Sequence, residues 1–227
     1  MISRLVLFDI DGTLMDSGRA GTRALDRAFL DLFGLRGAFE GISMAGKTDI
    51  QIIRECLRMH GLSDGPREVE RVIRAYTALL AEEIENPERS VMAGVVDLLE
   101  VLKAGGVPTG LLTGNIEEGA RIKLGSIGLY GYFTAGAFGS DHEDRDMLLP
   151  VAVKRFSALG IRVPPERCIV IGDTPRDVRC ARVHGASCIA VCTGPYGRDA
   201  LAEAGADLVL ESLEEREAFL GFLSAVV

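Results

Sequence analysis

The stretch LVLFDIDGTLMDS, Leu5 to Ser17, decides how the rest of the chain is read. Leu5 to Phe8 is a short apolar run bounded by charge and glycine, the pattern of a buried strand. It stops at two aspartates, Asp9 and Asp11. In a strand, residues i and i+2 project to the same side, so both carboxylates point together just past the strand's C-terminal end. Like charges so placed repel unless a cation or a shared proton holds them. Gly12 permits a tight turn and Thr13 adds a hydroxyl or a helix cap.

The same pattern recurs further along. VPTGLLTGN, RCIVIGDT and SCIAVCTG each run from apolar residues into small and polar ones, and YFTAGAF and ADLVL are further strand candidates. Helical patterns lie between them. Val95, Leu98, Leu99 and Leu102 share one face; Val151, Val153, Phe156 and Leu159 share another more loosely. Alternating strands and helices predict an α/β fold: a Rossmann-like, doubly wound parallel sheet with helices on both sides. One connection is too long. From Asp11 to the strand near Gly110 is about a hundred residues, where a crossover unit takes about thirty. The excess carries helical stripes: Ala20, Ala24, Ala28 and Leu32; Ile50, Ile53 and Leu57; and Val69, Val72, Ile73, Tyr76, Leu79, Leu80 and Ile84. Residues 17–88 are therefore expected to form an inserted all-helical cap domain, and 1–16 with 89–227 the α/β core domain.

Composition narrows the class. The 227 residues are 48% hydrophobic, with 33 acidic against 25 basic side chains and a net charge of -8. That balance, with no basic block interleaved with aromatics, argues against a nucleic-acid partner. Cys56, Cys168, Cys180, Cys188 and Cys192 make no metal-ligand spacing and read as reduced thiols. The first apolar run breaks at Asp9, and none approaches the roughly 18 residues of a membrane span. A cytoplasmic protein with no membrane partner is expected, with monomer or weak homodimer as the default assembly.

Two further motifs carry chemistry. In LLTGN, Thr113 ends a strand, Gly114 frees the backbone, and Asn115 can cap the next helix; a hydroxyl and backbone N–H groups at a helix start also suit a phosphate oxygen. In VIGDTPRDV, Asp173 follows a strand and Asp177 lies beside it at a helix start, where Asp173 or Thr174 can equally serve as the cap. Carboxylates there favour a hard cation such as Mg²⁺. The C-terminal ends of the strands share one edge, where ligands bind in such sheets. Asp9, Asp11, Thr113, Asp173 and Asp177 can meet there.

DIDGTLMDS, LLTGN and IGDTPRDV, in this order and spacing, resemble the haloacid dehalogenase (HAD) superfamily over nearly the whole chain, and the insert looks like that superfamily's C1-type cap, as in phosphoglycolate phosphatase-like members. The resemblance implies Asp9 as nucleophile forming an aspartyl-phosphate, and Asp11 as acid and then base. It implies Mg²⁺ held by Asp9, the Asp11 carbonyl and Asp173, with Asp177 direct or one step removed. Thr113, Gly114 and Asn115 would bind the phosphoryl group. The family's basic residue, usually a lysine before a proline, is missing. In GSDHEDRDMLLPVAVKRF the nearest candidate is Arg145, whose guanidinium can bind phosphate bidentately; Lys154 is the competitor, and His142 reads as part of a solvated loop. MAGKTD, Met44 to Asp49, resembles the cap loop that reaches into the site, with Lys47 and Thr48 as substrate-binding candidates and Asp49 as a helix cap. Ser17 and Arg19 mark the hinge. The expected activity is Mg²⁺-dependent hydrolysis of a small phosphorylated metabolite. A sugar-phosphate mutase and a non-catalytic binding protein are the alternatives, and Asp11 disfavours dehalogenation.

Overall fold

A computed structural model describes residues 4–225; the outermost residues of the expected core domain, 1–3 and 226–227, lie outside the described residues. Six strands form one parallel sheet: β1 (Leu5–Phe8), β4 (Thr109–Thr113), β5 (Gly136–Phe138), β6 (Cys168–Gly172), β7 (Ser187–Val191) and β8 (Leu208–Leu210), in the order β5-β4-β1-β6-β7-β8. β1 is central. Phe8 pairs with Leu111 of β4 on one side and Ile171 of β6 on the other. The order reverses at β1, so the ends of β1, β4 and β6 flank the switch point where a doubly wound sheet opens a crevice.

The two-residue period of the strands divides the core. Val6, Phe8, Leu111, Ile169, Ile171 and Ile189 face one side, with α4 (Val95–Ala104), α5 (Glu117–Ser126) and α9 (Arg216–Ala225). Leu5, Leu7, Leu112, Val170, Cys188 and Ala190 face the other, with α6 (Leu148–Ala158), α7 (Pro175–Arg182) and α8 (Arg198–Glu203). Covered on both faces, β1, β4, β5 and β6 are buried at every position rather than at alternate ones.

Between β1 and β4 lie α1 (Ala20–Phe33), α2 (Asp49–Met59) and α3 (Pro66–Glu83). Their buried faces, Ala24, Ala28 and Phe29 on α1, Ile53 and Leu57 on α2, and Val72, Tyr76 and Leu80 on α3, follow the predicted stripes, except that Ile52 takes the buried place expected for the half-buried Ile50. A ribbon that the sequence did not signal closes the base of this insert: β2 (Met15–Asp16) pairs antiparallel with β3 (Ser90–Val91). Two residues are too few to display a period. One helical face also differs from expectation. α6 buries Leu148, Leu149, Ala152 and Phe156, while Leu159 is 55% exposed. Val151 and Val153, two residues apart, cannot both face the core of a 3.6-residue helix. The five cysteines are free, and all but Cys192 are buried. Among the described residues, no helix is long and apolar enough to cross a membrane.

Candidate active site

The ends of β1, β4 and β6 bring the motifs together around a cavity of about 510 Å³ under the helical insert. Asp9, Asp11, Gly114, Asn115, Asp173, Arg145 and Lys47 line it. Oxygens of Asp9, Asp173 and Asp177 lie within 4.8 Å of one another, and all three residues are buried. Three buried carboxylates so close repel, and the consequence is visible in their acidity. Burial first, then the charges of Asp177 and Asp9, push Asp173 up to about 9. Burial also raises Asp9 to about 6, against the pull of Arg145. Carboxylate oxygens around such an excess of negative charge suit a hard divalent cation.

The backbone is shaped for this crowding. Gly12 adopts φ +78°, and a Cβ there would overlap the Asp173 carboxylate. Thr13 donates to Asp173 Oδ1 at 3.2 Å. Both Asp177 oxygens are engaged: Oδ2 accepts from Thr174 N at 3.0 Å and Thr174 Oγ1 at 2.7 Å, and Oδ1 pairs with Arg145. The residue that caps α7 is thus Thr174, not Asp173.

Arg145 sits in a short 3-10 turn ahead of α6 and is 4% exposed. Its Nη2 pairs with Asp177 and stands 3.2 Å from Asp9 Oδ1. Its Nε, also buried, has no hydrogen-bond partner among the described residues. Lys154 is exposed on α6 and does not line the cavity. His142 is exposed.

Asp11 has a different environment from Asp9. Burial alone would raise its pKa, but the Lys123 ammonium and the Asn115 amide outweigh burial and lower it. Lys123 Nζ lies 2.7 Å from Asp11 Oδ2, and Asn115 Nδ2 2.9 Å. Lys123 was not among the residues the sequence singled out. It sits mid-helix in ARIKLGS, where nothing local distinguishes it from a solvated lysine.

Two expected caps change role. Asn115 does not cap α5; its amide is spent on Asp11 and Thr113, and the N-cap position falls to Ile116. Asp49 does not cap α2. Thr48 does, accepting from Gln51 N at 3.1 Å, while Asp49 Oδ2 reaches out of the insert to accept from Ile116 N at 2.9 Å. That places a carboxylate at the positive end of α5. Thr48 also departs from its expected substrate contact. It is fully buried, its hydroxyl donates to the Glu143 carbonyl at 2.7 Å, and it does not line the cavity. Thr113 likewise does not line the cavity; its hydroxyl accepts from Asn115 Nδ2 at 2.9 Å. Lys47 lines the cavity and pairs with Glu55.

The insert's loop lies directly on the core. Asp49 N donates to Gly114 O at 2.8 Å, and Arg145 Nη1 to Gly46 O at 3.3 Å. A Cβ at Gly114 would overlap the Lys47 carbonyl, so this position demands glycine for the approach. Arg19, φ 61°, is the one non-glycine in the left-handed region among the described residues, and it stands on the cavity rim.

A parallel α/β sheet with an acidic cluster and a buried guanidinium at its switch point, covered by an inserted helical unit, defines a phosphoryl-handling hydrolase class. The comparisons agree. A family model described as haloacid dehalogenase-like hydrolase matches residues 3–185. Phosphoglycolate phosphatase 1 of Pseudomonas aeruginosa is 31% identical over 220 residues, 94% of this chain and 78% of that protein. The crystal structure of a hydrolase from Pseudomonas syringae superposes with a TM-score of 0.76 at 25% identity, covering 97% of this chain and 99% of that one. CbbY from Rhodobacter sphaeroides, solved in complex with phosphate, shares the fold with a TM-score of 0.74 at 22% identity, over 95% and 96% of the two chains. The chain belongs to the haloacid dehalogenase-like hydrolases, and its homologues include phosphoglycolate phosphatases.

Proposed function

We propose that this enzyme is a Mg²⁺-dependent phosphomonoester hydrolase of a small phosphorylated acid, with phosphoglycolate-like esters first. The observation that carries it is the buried cluster of Asp9, Asp173, Asp177 and Arg145, with Asp11 beside it in the same cavity. Asp9 is the nucleophile: its oxygen bonds to phosphorus as the ester bond breaks, giving an aspartyl-phosphate. Asp11 supplies a proton to the leaving oxygen and then takes one from the attacking water. Arg145, which lines the cavity with Asp9, neutralises the phosphoryl oxygens. Asp177 holds Arg145 in place. Asp9, Asp173 and the Asp11 carbonyl would hold Mg²⁺, which when bound draws charge from the transferring group. With both oxygens engaged, Asp177 would orient these groups rather than bind the ion.

Gly114, on the cavity wall, would receive a phosphoryl oxygen, the Asn115 amide being engaged by Asp11, Thr113 and Lys123. Lys47 and Arg19 on the same wall supply positive charge for a second anionic group, which supports a carboxylate-bearing substrate. The loop containing Thr48 would exclude water on closure.

The test is turnover of an aryl phosphate with Mg²⁺, with and without EDTA, beside Asp9→Asn. Metal-dependent activity is expected, falling by about 10⁴-fold or more in the variant; equal rates overturn the reading. A panel of small phosphate esters then ranks substrates. Release of free phosphate without a bisphosphate activator separates hydrolysis from the mutase alternative.

A further inference from the structure

A lysine buried to 4% exposure on a core helix is costly unless its charge is matched. An apolar side chain of the same length would fill the space on α5 without that cost, so the charge of Lys123 needs a reason. Its Nζ donates to Asp11 Oδ2 and to Asn115 Oδ1, each at 2.7 Å. Asn115 Nδ2 donates in turn to the same Asp11 Oδ2 at 2.9 Å and to Thr113 Oγ1 at 2.9 Å. Two donors therefore converge on one oxygen of Asp11. This pair of bonds fixes the direction of the Asp11 side chain. The Asp11 side chain is 41% exposed, whereas that of Lys123 is 5% exposed. Asp11 opens into the cavity that Asp9 also lines, and Lys123 reaches the same wall beside it.

We propose that Lys123 is a positioning residue that holds the Asp11 side chain aimed at the reaction centre, and so commits the phosphoenzyme to hydrolysis. This rests on the phosphatase reading above. In the hydrolytic half-reaction, the water oxygen bonds to phosphorus as the bond from phosphorus to the Asp9 oxygen breaks. The electron pair returns to Asp9, and the water's proton passes to Asp11. A base free to rotate is out of line for that transfer, while attack by Asp9 on an ester with a good leaving group is little affected.

The experiment compares wild type with Lys123→Met on an aryl phosphate in Mg²⁺. In the variant, kcat falls by about 10²-fold. KM falls with it, leaving kcat/KM within about threefold of wild type. Acid-quenched protein then carries near-stoichiometric, hydroxylamine-labile phosphate. Lys123→Arg, which keeps the charge, restores part of kcat and lowers the trapped phosphate. If Lys123→Met does not fold, Lys123→Gln reports the same split. Loss of kcat and kcat/KM together, with no trapped phosphoenzyme, marks a merely structural lysine and overturns the proposal. Unchanged kcat does the same. If wild type itself shows no metal-dependent turnover, it is the phosphatase reading that fails, and the positioning role falls with it.

Discussion

Asp9 and Asp11 stand two residues apart, yet their neighbours drive their acidities in opposite directions. Burial raises Asp9, and Lys123 with Asn115 lowers Asp11. The two carboxylates thus occupy separate environments. Arg145 sits on the Asp9 side of that division. It faces Asp9 and Asp177 from a buried position, so Arg145→Met leaves a buried carboxylate cluster without the cation paired to it. Removing one partner of such a pair costs about 3–5 kcal/mol. The metal-free variant should melt about 10 °C below wild type. Its turnover should fall by about 10²-fold or more. Arg145→Lys should recover part of both, as read by thermal unfolding and steady-state rates. Arg145 was legible because it directly precedes an amphipathic helix in the place where a basic residue was missing. Lys123 was not, because its partner Asp11 lies 112 residues away and only the folded chain joins them.

At the scale of elements, the segment from Gly46 to Asp49 is where the insert meets the core, and its residues trade the roles their types suggest. The stripes that defined α1, α2 and α3 were readable because burial follows helical period. The caps were harder, since Thr, Asp and Asn all suit a helix start and only tertiary partners choose among them. Thr48→Ala removes the cap of α2 and the bond to Glu143, and should cost about 1 kcal/mol. A fall in melting temperature of about 2–4 °C is the measurable result, with a raised KM as the loop over Gly114 loosens. Asp49 makes a pH prediction. Burial, with the charges of Asp11 and Asp9, raises it from the ordinary carboxylate value of 3.8 to about 6, against Lys123 and Ile116 N. The folded state therefore binds the proton more tightly than the unfolded one. Its stabilisation is complete below the ordinary value and is lost as pH rises to about 6. Asp49→Asn keeps an acceptor for Ile116 N but cannot ionise. In EDTA its stability should match wild type near pH 4 and exceed it above pH 6, by on the order of 3 kcal/mol. A gap that widens towards low pH instead would contradict this sign.

For the whole molecule, strand order was not written in any single segment, but the placement of motifs at strand ends implied a common edge, and the parallel sheet centred on β1 provides it. What the sequence could not supply was the depth of the site: Asp9, Asp173 and Asp177 are all under 7% exposed, in a chain already carrying net charge -8. Without a cation this concentrates repulsion at the centre of the fold. Burial and the charges of Asp177 and Asp9 raise Asp173 to about 9, so its ionisation opposes folding over the whole range from the ordinary value of 3.8 upward. A raised carboxylate stabilises only while protonated, and that contribution is lost as pH rises. The metal-free protein should therefore lose melting temperature between pH 6 and pH 9. Mg²⁺ that binds only the folded chain adds about 2.7 kcal/mol at a hundred times its Kd. At pH 8 that corresponds to a rise of about 5–10 °C. The gain should shrink as pH falls and protons compete for the same oxygens. Asp173→Asn separates the two contributions: in EDTA it should melt above wild type at pH 8, and it should no longer respond to Mg²⁺. A melting temperature in wild type that ignores both EDTA and pH across this range would mean that the cluster is neither charged nor a cation site.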